Sequence, residues 1–150
     1  MLIHTASEGI SFAKGLEAAT AQLYEAMAER FPEFRDRALA HAAENRRFAG
    51  TIQRVYQEVI TDAIEGCYCF QLETEDFGLP VVDPVAGSVH DAVGQAVAVE
   101  NVMIDFYSKA QKQADTLMAD IPRAFGTILR KRNQRLEALK ALLCPSPERA

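Results

Sequence analysis

The sequence predicts an all-α protein, a four-helix bundle of two antiparallel helix hairpins joined by a long crossover. Three observations carry this. Four apolar-periodic stretches with helix start and stop signals cover most of the 150 residues. The second pair of stretches echoes the first: Glu17 and Tyr24 stand seven residues apart, as do Glu100 and Tyr107, 83 residues further on. Between the pairs lies a segment bearing Gly and Pro, the 22 residues Gly66–Gly87, too long for a simple hairpin loop.

Thr5 with Glu8 has capping-box spacing, and an apolar-periodic helix follows from Ile10 to about Phe31. Pro32 ends it and, with Glu33, suits the first turn of a second helix running to Glu65, where Gly66 stops it. The crossover carries Gly78, Pro80 and Pro84 and few helical signals. Ser88 with Asp91 repeats the capping-box spacing and opens a third helix reaching about Leu117. Asp120 caps a fourth, with Pro122 in its first turn, ending near Leu143 before a tail, Cys144–Ala150, expected to be mobile. The tight joins make each helix pair an antiparallel hairpin. Gly15, Gly50, Gly94 and Gly126 fall inside predicted helices, where they are expected to permit close helix contact at some cost in propensity.

The length suits one domain with a substantial core. A hydrophobic content of 49% and a charged content of 25% are those of a soluble globular chain. The net charge of −5 gives no reason to expect nucleic acid or an anionic membrane as partner. No apolar run reaches the roughly 18 residues of a spanning helix, and the start lacks a basic region followed by an apolar stretch. Cys67, Cys69 and Cys144 are odd in number, and two are separated by one residue, unlike a disulfide framework. A cytoplasmic location follows as the expectation.

The chemistry lies in the helix stripes. Ala13, Glu17, Thr20, Tyr24 and Met27 fall on one face of the first helix, and Ala96, Glu100, Met103, Tyr107 and Ala110 repeat the spacings on the third. Such stripes face the core, so Glu17 and Glu100 are expected to point inward. Buried Tyr24 and Tyr107 hydroxyls need partners, and the facing carboxylates are natural acceptors. The second helix offers Ala40, Glu44, Arg47 and Thr51; the fourth offers Ile128, Arg132, Arg135 and Leu139. Glu44-Asn45-Arg46-Arg47 thus matches Arg132-Asn133-Gln134-Arg135 at an offset of 88.

On these residues the chain resembles the rubrerythrin-type ferritin-like proteins, over all but its tail. The resemblance implies a Glu on each of the first and third helices with a Tyr seven residues on. It further implies a Glu-x-x-His pair on each of the second and fourth, six ligands holding two iron or manganese ions. It also implies a homodimer. Glu17, Glu44, Glu100, Tyr24 and Tyr107 match; Arg47 and Arg135 replace His, and Arg132 replaces Glu. A guanidinium has no lone pair for a metal. Three Glu against three Arg are neutral in sum, and Arg pairs a buried carboxylate directly.

The expectation is therefore a vestigial centre: Glu17, Glu44 and Glu100 paired with Arg47, Arg132 and Arg135, no cofactor, and a non-catalytic or repurposed role, with a small molecule in the core as one possibility. The alternative is an iron or manganese oxidoreductase of peroxide or oxygen chemistry on Glu17, Glu44 and Glu100, with His41 as replacement ligand. His41 is otherwise expected at or near the surface, His90 out of reach, and His4 without a role. Cys67-Tyr68-Cys69 lacks the Cys-x-x-Cys spacing of a rubredoxin module, and two thiols do not complete a zinc site. Phe70, Leu72, Phe77, Leu79, Val81 and Val82 are expected to cover the bundle rather than form an interaction patch.

Overall fold

The computed structural model describes residues 1–60, 66–80, 87–117 and 119–144. Helix α1 is Ala6–Arg30, α2 Arg35–Val59, α3 Val89–Gln113 and α4 Asp120–Leu143. Both capping boxes form. Thr5 Oγ1 accepts from the Glu8 N–H at 3.1 Å while Glu8 Oε1 accepts from the Thr5 N–H at 3.0 Å. Ser88 and Asp91 repeat the exchange at 3.3 and 3.2 Å, so two orphan donors at each helix start are satisfied.

The other helix ends differ from expectation. Pro32–Phe34 is a 3₁₀ turn, not the start of α2. Ile60 is extended after α2, and the expected continuation to Glu65 falls on residues outside those described. A 3₁₀ turn at Ala114–Thr116 ends the third helical stretch before Leu117. Ala119 occupies the cap position of α4 without a side-chain bond; Asp120 stands in the first turn instead, where its charge complements the helix dipole. The expected mobile tail lies outside the described residues from 145 onward.

Side-chain contacts set the helix directions. Asn45 reaches Thr20 and Lys14 reaches Gln53, so α1 and α2 are antiparallel. Arg132 reaches Glu100 and Phe125 reaches Tyr107, so α3 and α4 are antiparallel. Tyr24 meets Glu100 while Tyr107 meets Glu17, which sets α3 antiparallel to α1. It follows that α2 and α3 run the same way, and the chain between them returns along the bundle. Among the described residues no helix is long and apolar enough to cross a membrane.

The crossover holds an element that helical periodicity does not announce. Strand β2, Tyr68–Glu73, pairs antiparallel with β1, Leu2–Thr5, in the register Leu2↔Glu73, Ile3↔Leu72 and Thr5↔Tyr68. Between the last two pairs β1 passes His4 alone while β2 passes Cys69, Phe70 and Gln71, so β2 bulges there. The Cys67 carbonyl accepts from the Ala6 N–H at 3.0 Å, tying this clasp to the start of α1. His4 stacks on Tyr68, ring centroids 5.4 Å apart. Phe70, Leu72 and Phe77 are buried, with Phe77 edge-on to Phe106; Val81 and Val82 lie outside the described residues.

Two apolar clusters fill the bundle. One gathers Ile10, Leu16, Phe106 and Phe125 near the clasp; the other gathers Met27, Phe31, Phe34 and Leu139 at the far end. Three of the four glycines correct the expectation of close helix packing, and Gly126, close against α3, bears it out. A Cβ added at Gly15, Gly50 or Gly94 would meet nothing within 4 Å, and one at Gly126 would meet the Gln111 side chain. A further tight contact is at Gly9, where a Cβ would lie 2.3 Å from the Phe70 ring.

Candidate functional site

A layer of polar side chains lies between the two apolar clusters. Glu17, Thr20 and Tyr24 come from α1, Asn45 from α2, Glu100 and Tyr107 from α3, and Arg132 and Arg135 from α4, all of them buried. Glu17, Glu100 and Arg132 have 0% exposure. Their capture inside follows from the helix stripes: each is flanked at three- and four-residue spacing by apolar residues that the bundle must bury.

The bonds cross the bundle. Tyr24 Oη donates to Glu100 Oε2 at 2.9 Å, and Tyr107 Oη donates to Glu17 Oε1 at 2.5 Å. Arg132 stands between the two carboxylates: Nη1 donates to Glu100 Oε1 and Oε2 at 2.7 and 3.0 Å, and Nη2 to Glu17 Oε2 at 2.5 Å. Arg135 Nη1 donates to Asn45 Oδ1 at 2.7 Å and lies 3.6 Å from Glu100 Oε2; its Nη2 donates to Glu44 Oε1 at 2.5 Å. Asn45 Nδ2 donates to Thr20 Oγ1 at 2.9 Å, and that hydroxyl donates to the Leu16 carbonyl at 2.9 Å. The Phe48 ring lies beside both guanidinium groups, 5.4 Å from Arg132 Cζ and 5.9 Å from Arg135 Cζ. Two carboxylates and two guanidinium groups make the inner layer neutral, with Glu44 half-buried at its rim.

Burial pushes the Glu17 carboxyl above its ordinary range, opposed by the charge of Arg132 and the Tyr107 hydrogen bond. Burial likewise raises both tyrosine hydroxyls, helped by Glu100 at Tyr24 and by Glu17 at Tyr107, so they stand as protonated donors. At Glu44, burial acts upward, but the hydrogen bond and charge of Arg135 outweigh it and the carboxyl is lowered. His41 is half-buried with its ring edge-on to Tyr24, centroids 5.1 Å apart. Burial first, then Arg135, lowers it to about 4. Burial and neighbouring Cys67 raise the Cys69 thiol to about 11, a poor nucleophile at neutral pH.

The structure therefore brings together Glu17, Tyr24, Glu44, Glu100, Tyr107, Arg132 and Arg135, and leaves out Arg47, which is exposed. The interior face of α2 is Ala38, Ala42, Asn45, Phe48, Ile52 and Tyr56. A shift of one residue turns a helix by about 100°, so the Glu44/Arg47 stripe lies beside that face. Glu44 is near enough to reach in from the rim; Arg47 is not. Asn45 and Phe48 face the layer as Arg132 and Arg135 do on α4, an offset of 87 rather than 88. The signal that identifies Asn45 is its place in the frame of Phe48, Ile52 and Tyr56.

The donor set does not fit a pair of iron or manganese ions. The two fully buried carboxylates are both engaged by Arg132, and the third lies at the rim on Arg135. Among the described residues, no three His, Cys, Asp or Glu side chains come together in a way that could hold a metal ion. A cleft of about 340 Å³ between α2 and α4 has Phe48 among its lining residues but not the layer's charged groups. In comparisons with known proteins, no family model, curated protein or solved structure matches the chain.

Proposed function

We propose that this chain is a ferritin-like bundle of rubrerythrin type in which an ion-pair layer stands where the family it resembles holds two metal ions, and that its role is non-catalytic. The observation that carries the reading is Arg132, which binds Glu17 and Glu100 at once inside the bundle. The direction of the helices and the return of the chain between α2 and α3 support the topology. The crossed tyrosine bonds support the correspondence of the two halves. In place of Glu44 and Arg47, the register of α2 makes Asn45 and Phe48 the residues that answer to lost ligands, so four ligand positions are rewritten rather than three.

Metal analysis of protein expressed in iron- and manganese-supplemented medium tests this. Substoichiometric metal, unchanged by Glu17→Gln or Glu100→Gln, is the expected result. Two metal equivalents per chain, lost in either variant, would overturn the reading. A restoring variant tests the positions: Asn45→Glu, Phe48→His, Arg132→Glu and Arg135→His together are expected to take up metal. Arg47→His with Arg132→Glu and Arg135→His is not. The reverse outcome, in folded variants, would refute the α2 register.

A further inference from the structure

Cys67 and Cys69 play no part in the buried layer, yet their placement is specific. Tyr68 between them is 77% exposed, while both cysteines are half-buried against the same apolar cluster. The thiols thus face one side of the chain and the tyrosine the other, as alternate residues of extended backbone do. The backbone beside them is held to the start of α1: the Cys67 carbonyl bonds the Ala6 N–H, and Tyr68 pairs with Thr5. Cys69 also opens the three-residue bulge of β2, a feature that re-aims side chains and recurs beside functional positions. Both thiols are free. A direct disulfide suits them poorly, since extended backbone sets Cα atoms two residues apart at about 6.6 Å, near the upper limit for that bond.

We propose that Cys67 and Cys69 chelate one monovalent soft cation, Cu(I) or Ag(I), as a linear two-thiolate site. Soft thiolate sulfur selects such ions. Zinc would require about four ligands, and among the described residues no third His, Cys, Asp or Glu joins the pair. Each thiol releases its proton to solvent as its sulfur binds, so two protons leave and a mononegative dithiolate complex remains. The ion would fasten the bulge at the point where β1, β2 and the start of α1 meet.

The test uses the full chain with Cys144→Ser, because Cys144 is exposed and would bind soft metals by itself. Anaerobic titration with Ag(I), then Cu(I), against a chromophoric chelator gives affinity, and native mass spectrometry gives stoichiometry. One equivalent is expected. Cys67→Ser and Cys69→Ser, each alone, should weaken binding by about 100-fold or more, the loss when a two-point attachment becomes one-point. Cys→Ala versions serve if a serine proves unfolded by circular dichroism. Failure to form a 1:1 complex against the chelator, or parent-like affinity in either folded single variant, would overturn the proposal. So would comparable affinity for zinc.

Discussion

Replacing Arg132 with Met should strand Glu17, and the size of the effect can be worked out. Arg132 is the cation paired with Glu17 among the described residues, whereas Glu100 keeps Arg135 at 3.6 Å and the Tyr24 hydroxyl. A carboxylate left buried without its cation escapes by taking a proton. An ordinary Glu pKa of about 4.3 lies about 2.7 units below pH 7, so that proton costs about 3.7 kcal/mol there and about 1 kcal/mol at pH 5. Breaking a buried pair from one side costs about 3–5 kcal/mol, which agrees. The variant is thus expected to lose at most about 4 kcal/mol at pH 7 and about 1 kcal/mol at pH 5, because the parent already carries part of the cost of burying Glu17.

The sign follows from proton binding. Burial already raises the folded pKa of Glu17 in the parent and loss of Arg132 raises it further, so the folded variant binds more protons than the folded parent and the difference between them grows as pH rises. Urea unfolding followed by far-UV circular dichroism at pH 5, 6 and 7 reads the difference between variant and parent, in which other titrating groups cancel. Adding Glu17→Gln to Arg132→Met should recover most of the loss, because no stranded charge remains. A difference flat from pH 7 to pH 5, or below about 1 kcal/mol at pH 7, would refute the assignment of Arg132 as the buried counter-ion.

Other perturbations separate the structure's particular claims. Asn45→Ala should cost about 2 kcal/mol, because it leaves Arg135 Nη1 and Thr20 without a shared partner, while Arg47→Ala should stay within about 0.5 kcal/mol of the parent; thermal melts in the reverse order would refute the register of α2. Gly15→Ala and Gly50→Ala should each stabilise by about 0.5–1 kcal/mol, since the new Cβ meets open space, whereas Gly9→Ala should lower the melting temperature by pressing on Phe70. His41, lowered from 6.5 to about 4, binds fewer protons folded than unfolded between those values. Stability should therefore drop as pH falls through that window, and His41→Phe should blunt the drop; a normal His41 midpoint by NMR titration would contradict it.

The sequence made much of this legible because its strongest signals were local. Thr5 with Glu8 and Ser88 with Asp91 are complete statements about helix starts within four residues. The Glu17/Tyr24 and Glu100/Tyr107 spacings needed only helical periodicity to become an interior layer. The error on α2 came from matching Glu44 and Arg47 to a polar motif while Phe48, Ile52 and Tyr56 already determined which side faced inward. Apolar burial outweighs a motif when the two differ by one residue, because several large side chains turn together. The small sheet was illegible for another reason. Leu2 pairs with Glu73, and a four-residue strand carries no periodic signal strong enough to reveal a partner 71 residues away.

The crossed bonds have a consequence for how the molecule is assembled. Glu17 belongs to the first hairpin, but the groups that neutralise and cap it, Arg132 and Tyr107, belong to the second. Arg135, from the second, donates to Glu44 and Asn45 of the first. Neither hairpin can therefore close its own interior: each carries half of a lock whose key is on the other. A chain cut in the crossover would yield two pieces that become ordered only in each other's presence. What reads in sequence as a near-duplication is, in three dimensions, an arrangement that denies both copies independence.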